Sequence, residues 1–172
     1  AVFIPSPPDQ TRARCMDLLS QLRPLLASPS PDATEQFLAA FRELESLTAD
    51  HSTEELVECL LAIAHYFYLA AQPGLGLPPA SHALVHARHL DDKRLLRKAL
   101  TIHGLMCVET GNLPIATASF SEALSVAREL GDADLEAPVW NNLGLALMSS
   151  AQYADALRCF QRAAQLARGS SQ

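Results

Sequence analysis

The chain has 172 residues and a formal net charge of -6. That is enough to bury a core without disulfides or metals, and too acidic to present phosphates with a basic face, so nucleic acid is excluded as the expected partner. There are 29 Leu and 28 Ala against six Val and four Ile. With a mean hydropathy of +0.08, this composition excludes a sheet and a disordered chain, and no apolar run approaches the roughly 18 residues of a membrane span.

At the start, Ala1-Val2-Phe3-Ile4 is too short for a signal peptide, and Pro5, Pro7 and Pro8 break it. The missing initial Met points to a piece of a longer protein. The first predicted helices span 9–26 and 32–49, the second behind Pro29 and Pro31 with Asp32 and Glu35 at capping-box spacing. Ser52 and Glu55 form the same device ahead of a helix over 53–71. Gly74–Pro79 reads as a loop that shortens the following helix to 79–90. A helix over 92–110 follows, and after Gly111, Asn112 and Pro114 start another over 113–130. Gly131 then ends that helix and Asp132 caps the next, over 132–150, before a last one over 153–168. The expected fold is all-α, with about eight helices paired as antiparallel hairpins.

The chain repeats itself at an offset of 40 residues. Gly104 falls on Gly144, Ala116 on Ala156, Phe120 on Phe160, Ala123 on Ala163 and Arg128 on Arg168. One period earlier, Ala83, Ala87, Arg88, Leu90 and Asp92 fall on Ala123, Ala127, Arg128, Leu130 and Asp132. Small residues at helical spacing let two helices approach closely, and large ones fill the gaps between them. Cys15, Cys59, Cys107 and Cys159 contain no CxxC pair, so they read as buried thiols of a reducing, cytoplasmic location rather than a zinc or disulfide frame.

Trp140, Leu143, Gly144, Tyr153, Ala156, Phe160 and Ala163 stand at the spacing W-x2-L-G, Tyr, A-x3-F, Ala, and this segment resembles the tetratricopeptide repeat. The preceding unit keeps Gly104, Gly111, Ala116, Phe120 and Ala123. The long period is similar to the long-helix variety found in kinesin light chains and in bacterial signalling and regulator arrays. The resemblance implies a right-handed superhelix of hairpins. A divergent hairpin over 1–52 precedes three repeat-type hairpins over about 53–90, 92–130 and 132–168, in one continuous domain.

It also implies a concave groove lined by the first helix of each hairpin. Its residues are His65, Tyr68 and Leu69, with Glu58 and Leu61, in the first unit. They are Lys98, Thr101, Leu105, Val108 and Glu109 in the second, and Pro138, Asn141, Leu145, Met148 and Ser149 in the third. Such a mostly apolar wall suits a helix or an extended peptide of a protein partner. The Lys and Asn clamp by which some family members hold a chaperone's C-terminal carboxylate is absent, because Leu61, His65, Thr101 and Leu105 occupy its places.

His82, His86 and His89 lie at i, i+4 and i+7, a candidate metal face. In register, however, His86 matches the packing positions Val126 and Leu166, and His103 reads as a hydrogen-bonded core histidine. No phosphate loop, nucleophile elbow or completed dyad around Asp50 and His51 is present, so no enzyme and no cofactor are expected. Leu157, Phe160, Ala164 and Leu166 on the last helix form a face that a following helix would shield. The expected function is a non-catalytic interaction or sensory module within a larger bacterial signalling protein. Homodimerisation through that last face is the alternative, and metal binding on the histidine face the third reading.

Overall fold

The computed structural model describes residues 6–169, so Ala1–Pro5 and the end of the chain beyond Gly169 lie outside the described residues. Among the described residues there are eight α-helices and no strand: α1 Pro7–Leu22, α2 Pro31–Leu44, α3 Glu54–Leu69, α4 Pro73–Ala87, α5 Lys93–Glu109, α6 Leu113–Leu130, α7 Ala133–Ser149 and α8 Tyr153–Gly169. The all-α expectation holds. None of these helices is long and apolar enough to cross a membrane. The chain divides into two compact units, Ala1–Asp91 and Asp92–Gln172.

In the first unit α3 is the hub. It pairs with α4 as a hairpin, and α1 and α2 both lie on it while touching each other little. A helix contacted on so many sides has to be apolar nearly all round, and Leu56, Val57, Cys59, Leu60, Leu61, Ile63, Ala64, Tyr66 and Phe67 are all buried. Tyr66 stacks on Phe37 of α2 with ring centroids 3.9 Å apart. Its hydroxyl lies 2.9 Å from Thr34 Oγ1 and donates to the Ser30 carbonyl at 3.1 Å, so the buried phenol is satisfied where the ring is packed.

Two expected starts shift. Ser30, not Asp32, caps α2 by accepting from the Ala33 N–H at 3.1 Å. Pro31 with its fixed φ already occupies the first helical position, so the cap has to precede it. Thr53, not Ser52, caps α3, accepting from the Leu56 N–H at 3.1 Å. The Ser52 hydroxyl is engaged elsewhere, 2.8 Å from Nδ1 of His86.

The expected loop over Gly74–Pro79 is helical instead. Pro73 opens α4 at a position that needs no N–H, and Gly76, Pro79, Ala80 and Ala83 are buried in the α3/α4 hairpin. Packing of that face against α3 offsets the hydrogen bonds that Pro78 and Pro79 cannot donate.

In the second unit the 40-residue register is reproduced in the backbone. Helices α5 and α6 begin 40 residues before α7 and α8, and α5 ends 40 residues before α7. The same hairpin turn recurs three times: Gln72, Asn112 and Gln152 donate backbone N–H groups to Phe67, Cys107 and Leu147 at 2.8, 2.7 and 2.9 Å. At the residue before each donor the backbone is left-handed, in Ala71 (φ 53°), Gly111 (φ 78°) and Ala151 (φ 58°). Only the middle copy carries the residue that takes this conformation without strain. Gly131, at φ 66°, closes α6 as expected, and Asp132 caps α7 by accepting from the Asp134 N–H at 3.1 Å.

Within each hairpin a helical glycine admits an aromatic ring. A Cβ on Gly104 would stand 2.6 Å from Cε1 of Phe120, and one on Gly144 would stand 2.6 Å from Cε1 of Phe160. The glycines are the helix-crossing points.

Candidate functional site

The inner face of α5 and α7 is taken up by packing. Leu95, Ala99, Leu100, Gly104, Met106 and Cys107 of α5, and Val139, Leu143, Gly144, Ala146 and Leu147 of α7, are buried. The residues between them cannot turn inward, and they form two parallel stripes in register. Thr101, Leu105 and Val108 are half-buried on α5. On α7, Asn141 is exposed, as are Leu145 (38% accessible) and Met148 (44%). Lys98 is half-buried and Glu109 exposed at the two ends of the α5 stripe. Of the expected groove residues in this unit, all therefore keep access to solvent. The Thr101 hydroxyl donates to the Arg97 carbonyl in its own helix at 2.9 Å, which leaves its oxygen free to act only as an acceptor.

The same positions on α3 in the first unit are His65, Tyr68 and Leu69, all exposed. The His65 and Tyr68 rings are near-parallel, with centroids 6.5 Å apart. Leu61, expected in the groove, is buried, because α3 also carries α1 and α2. The expectation fails there for a reason that lies outside the repeat.

Arg97 was not singled out by the sequence pattern. Its Nε is buried without an acceptor, and burial, reinforced by Arg94, lowers its pKa while Asp132 raises it. The nearest sequence signal is the basic run Lys93-Arg94 and Arg97-Lys98. In the first unit, a cleft of about 570 Å³ lined by Met16, Leu19, Arg23, Glu54, Glu55 and Glu58 also went unforeseen. Glu55 pairs there with Arg12 at 3.2 Å.

The histidine face does not converge. His86 is buried with Nδ1 against Ser52, its pKa lowered first by desolvation and then by His82 and His89. His82 turns its ring edge-on to Phe41 at 5.5 Å, and His89 is exposed. Among the described residues no three His, Cys, Asp or Glu side chains are arranged to hold a metal ion. His103 is hydrogen-bonded as expected, with Nδ1 2.9 Å from Ser119 Oγ. Asp50 and His51 meet on an exposed turn at 3.4 Å.

All four cysteines are free and buried. The thiols of Cys15 and Cys59 are hydrogen-bonded to each other across α1 and α3, and that contact together with burial pushes the Cys59 pKa up. Burial also raises Cys107 and Cys159. On α8, Leu157 and Ala164 are exposed, and Phe160 and Leu166 are half-buried.

Residues 95–169 match the model of the tetratricopeptide repeat. This segment is a tetratricopeptide-repeat array. Two solved structures share the fold over nearly the whole chain. Aspartyl phosphate phosphatase F from Bacillus subtilis is 21% identical, with a TM-score of 0.70 over 94% of this chain and 40% of its own. PlcR from Bacillus thuringiensis, solved with the peptide PapR7 and DNA, is 12% identical, with a TM-score of 0.58 over 91% of this chain and 64% of its own. At these identities the likeness is one of fold. The chain spans less than two thirds of either structure. No curated protein matches it.

Proposed function

We propose that this tetratricopeptide-repeat chain is a non-catalytic interaction and regulatory module, which seats a helix or extended peptide of a protein partner along α5 and α7. The observation that carries the reading is the paired stripe: Leu105 and Val108 on one helix, Leu145 and Met148 at the same positions on the next, all accessible. The positions that hold the hairpins together are buried behind them. Apolar side chains spaced three apart on each of two neighbouring helices suit the apolar side of an amphipathic helix. Lys98, Thr101, Glu109 and Asn141 supply polar contacts at the edges. His65, Tyr68 and Leu69 on α3 offer a surface of the same composition in the first unit. The PlcR structure, with its PapR7 peptide, supports peptide capture as a use of this fold. The larger size of both structural relatives supports placing the chain within a larger bacterial signalling protein.

A displayed library of helical and extended peptides, selected on the chain, tests the reading. Winning peptides should lose about tenfold or more in affinity on Leu105→Glu and on Met148→Glu, since a buried charge leaves the anchor pocket unfilled. Far-ultraviolet circular dichroism of both variants should stay unchanged. Peptides that bind both variants as tightly as the wild type would rule the stripe out.

A further inference from the structure

Two of the four cysteines meet inside the first unit. Cys15 on α1 and Cys59 on α3 are both fully enclosed, and their thiols are hydrogen-bonded to each other. Cys107 instead faces Nε2 of His103 at 3.8 Å. The hairpin register shows that packing alone does not require sulfur on α3. At the offset of 40 residues Cys59 falls on Ala99, and Ala99 on Val139, and all three are fully buried. An alanine and a valine serve the same place in the other two hairpins, so the thiol of α3 answers to α1, which follows no repeat. On α1 the buried stripe is Thr11, Cys15, Leu18, Leu19 and Leu22, and Cys15 is its most enclosed member.

The two sulfurs are not equivalent. Cys59 donates to Cys15, and that bond holds the Cys15 thiol below its ordinary value; Arg14 acts in the same sense, while burial, Glu55 and Glu43 oppose it. The same bond pushes Cys59 up. The pair thus joins a nucleophilic sulfur to a proton donor. Sulfurs in hydrogen-bond contact stand within about 2 Å of disulfide bonding distance, a gap that rotation of both side chains can close. Small space also adjoins Cys15. Thr11 and Arg14 line a hollow of about 310 Å³, and Arg14 and Leu18 line another of about 200 Å³. Because α1 touches α2 little, a slight local opening admits a molecule little larger than water.

We propose that Cys15 and Cys59 are a peroxide-oxidised pair, which closes to an intramolecular disulfide between α1 and α3. The Cys15 thiolate attacks one oxygen of hydrogen peroxide and the O–O bond breaks. The sulfur becomes a sulfenic acid, and the departing hydroxide takes the proton that Cys15 gave up and leaves as water. The bond and charge of Cys15 that held the Cys59 proton are then gone. Cys59 attacks the oxidised sulfur, the S–S bond forms and the S–O bond breaks, and the second hydroxide leaves as water with the Cys59 proton. Two thiols are oxidised, one hydrogen peroxide is reduced and two waters form. The pair is separate from the α5/α7 stripe and does not depend on it.

The test treats the intact, reduced chain with hydrogen peroxide, removes the excess with catalase, alkylates in urea and maps the cysteines by mass spectrometry after digestion. A linked pair of peptides containing Cys15 and Cys59 is expected, at least about tenfold more abundant than any other pairing and lost on treatment with dithiothreitol. The bridged chain should melt roughly 5–10 °C higher, because the bridge closes a loop holding all of α2 in the unfolded state. In Cys59→Ala, which installs the residue that α5 carries at this place, dimedone should trap a sulfenic acid on Cys15. Cys15→Ala should leave Cys59 unlabelled under the same conditions. Absence of the Cys15–Cys59 link in the wild type, or other pairings in equal amount, would overturn the proposal. So would a lower melting temperature once bridged, because the fold would then not hold the sulfurs in place, and so would equal dimedone labelling of the two variants.

Discussion

Replacing Gly104 with Ala should destabilise the chain, although alanine is the better helix former. In an exposed mid-helix site the exchange gains about 1 kcal/mol. Here the new methyl would lie 2.6, 2.8 and 2.9 Å from Cε1, Cζ and Cδ1 of Phe120, where carbon atoms rest at about 3.5–4.0 Å. The ring has to retreat by roughly 1 Å, yet Phe120 is fully buried. Overpacking of this kind costs about 1–3 kcal/mol, so a net loss of about 1 kcal/mol is expected. Gly144→Ala is the internal control. Its geometry toward Phe160 is nearly the same, but Phe160 is only half-buried and can swing outward, so the propensity gain should roughly cancel the crowding. Urea denaturation followed by circular dichroism gives both values. Combining Gly104→Ala with Phe120→Leu should recover part of the loss as a favourable coupling. A Gly104→Ala chain as stable as the wild type, or less destabilised than Gly144→Ala, would refute the view that this glycine exists for the ring.

Three further outcomes follow from the same contacts. Burial holds the His86 pKa below its ordinary value of 6.5, so the unfolded chain binds the extra proton first. Its contribution is complete above the unfolded pKa and is lost as pH falls towards the folded one. Urea midpoints should therefore drop on acidification from pH 7, less so in His86→Gln, which removes the imidazole faced by those of His51, His82 and His89; an identical slope in the variant would contradict the assignment. Tyr66→Phe removes the hydroxyl that serves Ser30 and Thr34 and should cost about 1–2 kcal/mol; no change in the urea midpoint would show those bonds to be without net value. Ala151→Gly relieves a left-handed alanine and should raise stability by up to about 1 kcal/mol, measurable as a higher melting temperature, whereas a lower one would mean that the turn is not strained.

The second unit was legible in the sequence because its contacts are local and repeated. Gly104 with Phe120 and Gly144 with Phe160 recur at one offset, and the offset alone predicts that the two hairpins pack alike. The first unit was less so. Leu61 reads as a groove residue by register, and its burial depends on α1 and α2, whose contacts with α3 follow no repeat. Ser52 reads as a cap because Glu55 stands three places on. Its hydroxyl goes instead to a histidine 34 residues away, and the adjacent Thr53 takes over the cap at no geometric cost. Pro78 and Pro79 argue for a loop by local rule; the helix persists because a neighbour covers it. In each of these three a long-range contact overrules a short-range preference, whereas the move of the α2 cap from Asp32 to Ser30 is local and due to Pro31.

The differences between α6 and α8 locate what the repeat does not determine. Positions enclosed within the hairpin are nearly unchanged across the offset: Ala116 and Ala156, Phe120 and Phe160, Ala123 and Ala163. Those on the outward side are replaced. Leu113 becomes Tyr153, Thr117 becomes Leu157 and Leu124 becomes Ala164. The first set answers to Gly104 and Gly144, which are alike; the second answers to whatever lies across it. On α6 that is α7. On α8 the relief is inverted, raised at Tyr153 and Leu157 and recessed at Ala164. A helix that fits α8 closely therefore has to place a small side chain against Leu157 and a large one against Ala164.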